Sequence, residues 1–165
     1  MEKFLFLILC FGYLSAAQAQ PNSSSPMTSV GKVFKRINEI DAFKNYKEED
    51  AVLITDSQEQ KNIFHKISNG KHTFVLFTKY SPQGNQILAI LDIGEVGKNM
   101  RVLLRECRIN TRTNGFVVAL VNTKSWKAYF NNVVKAWRVD RQKNVFVEIP
   151  VKGIDCLNEE FENGD

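Results

Sequence analysis

The two histidines, His65 and His72, are the side chains best suited to move a proton near neutral pH. They stand seven residues apart with Asn69-Gly70 between them. That pair stops a helix, so the two rings are not expected to share a face as metal ligands would, and no metal is predicted. His65 reads as a half-exposed helical residue beside Phe64, and His72 as a strand-entry residue. Neither has an oriented partner close in sequence, as a general base requires. Gly-x-Ser-x-Gly is absent, and Cys107 lies in an apolar-alternating run that suits a bridged or inert sulfur better than a reactive thiolate. Gly94-Glu95-Val96-Gly97 joins two β-like runs, which is the wrong context for a nucleic-acid clamp or a dinucleotide loop. No cofactor and no nucleic-acid partner is expected. Asp92, Glu95 and Glu106 fall at or near strand ends, where a pair of carboxylates can flank a glycosidic bond but where rim and turn residues also belong.

Binding chemistry is better represented than catalysis. Trp126, Tyr129 and Trp137 stand beside Lys127, Lys135 and Arg138, and aromatic planes with nearby cations stack on rings and hold anions. Trp126 and Phe130 share the spacing of a buried stripe, which leaves Tyr129 as the surface aromatic. The ligand-binding candidates are therefore Lys127, Tyr129, Lys135 and Arg138. Charge supports them: residues 108–145 carry 8 basic and 1 acidic side chains, whereas 146–165 carry 1 and 6. A basic stretch of this kind fits an anionic protein or glycan, with the acidic tail as its neighbour and partial neutraliser.

The N-terminus points to export. Lys3, an apolar run from Phe4 to Leu14 and Ala17-Gln18-Ala19 make a signal peptide over 1–19, and the run is too short to span a bilayer. Cleavage before Gln20 leaves 146 of the 165 residues, enough for one domain, with no later transmembrane segment expected. The mature protein would be periplasmic or extracellular. Two cysteines remain, Cys107 and Cys156, and an oxidising compartment favours a disulfide between them.

Pattern then assigns the elements that carry these residues. Residues 20–29 are Pro- and Ser-rich and read as a disordered leader; the domain runs over 30–156, and 157–165 is an acidic flexible tail. Apolar residues at helical spacing predict one helix from Val30 to Phe43 and a second from Asp56 to Asn69. Thr73–Tyr80 and Gln86–Ile93 flank Ser81-Pro82-Gln83-Gly84-Asn85 as a hairpin, and Met100–Cys107 and Phe116–Val121 extend it into a four-stranded meander. Trp126, Phe130, Val133, Val134 and Trp137 predict a third helix over 124–135, and Ala136–Asp140 with Val145–Ile149 a final hairpin. The expected fold is α+β, an antiparallel meander with two N-terminal helices and one later helix on one face, plus a C-terminal hairpin.

These features point to a small exported non-catalytic binding module for an acidic protein or polyanionic envelope component. A secreted hydrolase with a site assembled from sequence-distant residues is the alternative, because such sites leave no local signature. Self-association through the basic stretch and acidic tail is a third reading.

Overall fold

The computed structural model describes residues 25–57, 60–124 and 127–162. The expected signal peptide, the first half of the leader, Trp126 and residues 163–165 lie outside them. Among the described residues the chain forms β1 (Val33–Phe34), β2 (Lys47–Ser57), β3 (Gln60–Ser68), β4 (Thr73–Ser81), β5 (Gly84–Gly94), β6 (Met100–Leu103), β7 (Cys107–Ile109), β8 (Arg112–Thr113), β9 (Val117–Asn122), β10 (Tyr129–Phe130), β11 (Val133–Asp140), β12 (Val145–Ile149), β13 (Ile154–Leu157) and one short helix, α1 (Glu159–Glu162). The expected α+β arrangement is therefore overturned: the fold is mostly antiparallel sheet, and none of the three predicted helices forms.

Three sheets stack as layers. The first has the order β1-β5-β4-β3-β2, the second β12-β11-β9-β6 and the third β10-β13-β7-β8. Phe64, Val75, Phe77, Leu91, Val118 and Trp137 fill the space between the first and second sheets. Val117, Ala119, Val121 and Ala136 meet Cys107, Phe130, Ile154 and Cys156 between the second and third. A third core lies on the outer face of the first sheet, where Phe34, Ile37, Ile40 and Phe43 cover Ile67, Phe74, Leu76 and Ile87. β4 and β9 are thus buried on both faces, which is why FVLF and VVALV read as unbroken apolar runs and not as alternating ones.

Each missing helix has a physical cause. Phe34, Ile37, Ile40 and Phe43 repeat every third residue, a period that suits short 3-10 turns better than an α-helix. The segment accordingly forms β1 and turns at Ile37–Glu39 and Asp41–Phe43, broken by extended Arg36 and Ile40. Ile63, Phe64 and Ile67 belong to β3, whose alternation sends Phe64 to one core and His65 and Ile67 to the opposite face. Phe130 and Val133 sit on β10 and β11; Val134, expected inside, is half exposed at a register shift in the β9–β11 ladder. The predicted meander also divides: β6 leaves the first sheet for the second, and Cys107 begins a strand of the third.

Both predicted hairpins are present, as β4–β5 and β11–β12. Cys107 and Cys156 are opposite one another on β7 and β13 and are joined by a disulfide. In the leader, Pro26–Ser29 forms a 3-10 turn with Ser29 buried. No helix of the described residues is long and apolar enough to cross a membrane.

The β4–β5 turn also holds β1 in place. Gly84 has φ +139°, and a Cβ on it would stand 2.6 Å from the Phe34 carbonyl oxygen, so the close approach of β1 to β5 requires glycine. Gly84→Ala should lower stability by about 1–3 kcal/mol. Gly70→Ala provides the comparison, because its φ is +83° with open space around it. Equal shifts of the two urea midpoints would show that backbone strain alone, and not the Phe34 contact, sets the requirement.

Candidate functional site

The four sequence candidates do not converge. Lys127 lies just before β10 and Tyr129 begins it, and Lys135 and Arg138 lie on β11. Trp137 on β11 faces the first sheet while Ala136 faces the third, so alternation sends Lys135 and Arg138 to opposite sides of the strand. The helix that would have aligned Lys127 with Lys135 is absent. One face of Tyr129 is already covered: the Arg108 guanidinium lies 3.5 Å from the ring centre. Arg108 is held there by Asp155, to which it donates from Nε at 2.7 Å and Nη2 at 2.8 Å, and this carboxylate raises the arginine's pKa.

The histidines are likewise separate. His65 Nδ1 meets Glu48 Oε2 at 2.5 Å and Nε2 meets Thr78 Oγ1 at 3.1 Å. Carboxylate, imidazole and hydroxyl in series is the order of a nucleophile relay. Here it is closed off: Thr78 has no exposed surface, its hydroxyl donates to the Ile63 carbonyl, and the edge of Phe34 packs on the His65 ring. His65 and Thr78 are buried in the sheet, and only the Glu48 carboxylate reaches solvent, so the hydroxyl that would act as nucleophile is inaccessible. His72 Nε2 meets Asp92 Oδ1 at 2.6 Å beside Phe74, and burial followed by the Asp92 charge pushes the neighbouring Tyr46 phenol up. Asp92 is thereby engaged, Glu95 is an exposed loop residue, and Glu106 lines a different cleft. No group of three or more His, Cys, Asp or Glu among the described residues is arranged to hold a metal.

The residues that do converge surround Arg101. β6 is the edge strand of its sheet, and its alternation buries Val102 in the core while Arg101 stays half exposed. On one side of Arg101, Lys66, Lys71, Ser68 and Thr73 from the β3–β4 hairpin line a polar groove of about 240 Å³. Both hydroxyl residues are buried in its wall, and Ser68 Oγ accepts from the Gly70 N–H at 3.0 Å. Lys66 pairs with Glu49 at 3.6 Å, whereas Lys71 has no ion-pair partner among the described residues.

On the other side of Arg101 is a cleft of about 130 Å³ lined by Arg105, Glu106, Phe130, Leu157 and Asn158. The backbone turns there through Glu106 at φ 57°, a left-handed conformation that is costly for a residue with a Cβ. α1 closes the cleft. Arg101 Nη1 meets Glu160 Oε1 at 3.0 Å; Arg105 meets Glu159 through Nε at 2.9 Å and Nη2 at 3.4 Å. All four side chains are roughly half exposed, and pairs of this kind contribute about 0–1 kcal/mol each. Asn158, with 1% exposure, is oriented by donating from Nδ2 to the Lys127 carbonyl at 3.0 Å. Its Oδ1 is then a buried acceptor with no partner among the described residues.

Sequence reasoning missed this site because it counted charge by segment. Residues 30–107 carry 12 basic and 10 acidic side chains, a balance that conceals Lys66, Lys71, Arg101 and Arg105. The available signal was Arg101 and Arg105, four apart in a strand-like run, together with adjacent glutamates near the C-terminus. No protein-family model, curated protein or solved structure matches this chain.

Proposed function

We propose that this chain is an exported, non-catalytic binding module that takes an anionic partner, an acidic protein or polyanionic envelope component, in the groove around Arg101. The observation that carries this reading is the grouping of Lys66, Lys71 and Arg101 around the buried Ser68 and Thr73 hydroxyls. Cations supply attraction and fixed hydroxyls supply direction, a combination suited to oxyanions. Export is supported by the charged start, apolar run and Ala17-Gln18-Ala19, and is compatible with the buried disulfide.

Retention on immobilised heparin tests the reading. Wild-type retention should fall as salt rises, since exposed charges are screened over a Debye length of about 8 Å at physiological ionic strength. Lys66→Glu with Lys71→Glu should remove most of it while the unfolding midpoint changes little. Lys127→Glu with Lys135→Glu is the competing variant. If only that pair weakens retention, the contact lies on β10 and β11 and the groove is not the site.

A further inference from the structure

We infer that the Arg101–Arg105 cleft is a docking site for an acidic peptide segment of a partner protein, and that Glu159 and Glu160 hold it closed until such a segment displaces them. The inference rests on the proposed anion recognition and names the chemistry of the partner. The resident occupant indicates what fits: two consecutive carboxylates reach two guanidiniums, one at 3.0 Å and the other through two nitrogens at 2.9 and 3.4 Å. The ion pairs are half exposed and contribute about 0–1 kcal/mol each, and α1 is only four residues long. A second observation is independent of charge. Asn158 Oδ1 is buried at the cleft and lacks a donor among the described residues, and a peptide brings N–H donors along with its carboxylates.

The surroundings also favour a peptide. Past Arg105 and Glu106 the surface continues as a groove of about 490 Å³ along Ala51–Ile54 of β2, the outermost strand of the first sheet. Outward backbone groups of such an edge pair readily with an extended chain. The expected tail effect also changes place: the glutamates meet Arg101 and Arg105, upstream of the basic stretch 108–145.

Fluorescence anisotropy with labelled hexaglutamate tests the inference. If the cleft stands open in about a tenth of molecules, deleting residues 159–165 should tighten binding about tenfold. Glu159→Gln with Glu160→Gln in the full chain should reproduce most of that gain without shortening the protein. Arg101→Gln with Arg105→Gln should abolish it in either background. Unchanged affinity after both tail alterations would overturn the inference, as would full affinity without the two arginines. If tail removal strengthens heparin binding but not hexaglutamate binding, the cleft takes a polyanion and not a peptide. That outcome overturns the inference and leaves anion recognition standing. Loss of the Lys66 and Lys71 effect would instead strike the wider reading.

Discussion

Replacing Phe77 with alanine should cost about 3–5 kcal/mol of unfolding free energy, a large part of the roughly 5–15 kcal/mol that holds a typical domain together. Phe77 has no exposed surface. It sits on β4 opposite Phe64 and Ala89, with its ring 5.5 Å from that of Phe64, and belongs to the core shared with Val118 and Trp137 of the second sheet. Both walls of the resulting cavity are hydrogen-bonded sheets, so neither can collapse into it cheaply. Much of the cavity penalty should therefore remain. Urea unfolding monitored by tryptophan fluorescence would measure the loss, with Lys127→Ala as an exposed control expected within about 0.5 kcal/mol. A loss below about 1 kcal/mol at Phe77 would mean that the two sheets do not pack face to face.

Removing the disulfide should be comparably severe. Cys107 and Cys156 are separated by 49 positions, and the chain-entropy model gives roughly 4 kcal/mol for a loop of that size, within a usual range of about 2–5. The third sheet makes the dependence local. β7, β8, β10 and β13 have only three, two, two and four residues, so the sheet has few ladder bonds of its own. Both sulfurs sit in its core beside Phe130 and Ile154. Cys107→Ala with Cys156→Ala, and the wild type in reductant, should unfold at much lower urea than the oxidised protein. An unchanged midpoint in reductant, with two thiols titrating, would show that the packing of the third sheet does not need the bridge.

Local signals were legible where local physics decides. Pro82 and Gly84 between two β-rich runs mark the β4–β5 hairpin, and the paired cysteines mark the covalent link. Helical spacing misled at Ile63, Phe64 and Ile67, because strands buried on both faces place apolar residues at neighbouring positions and lose the two-residue period. The N-terminal repeat of three needed the outer face of the first sheet to explain it. The candidate site was least legible. Lys66, Arg101 and Glu160 come from three distant stretches, and only the exit of the chain from the second sheet after Leu103 and the return of β13 bring them together.

The covalent link also fixes a length. Cys156 is anchored to β7, and Glu159 follows three residues later, so a released glutamate stays within about 10 Å of a fixed point. So short a tether keeps the tail at an effective local concentration on the order of millimolar, whatever the protein concentration outside. A competitor with a single carboxylate would rarely outcompete it, whereas one presenting several at once offsets the tether with its own. On the proposed reading, the bridge thereby sets a valence threshold for entry to the cleft.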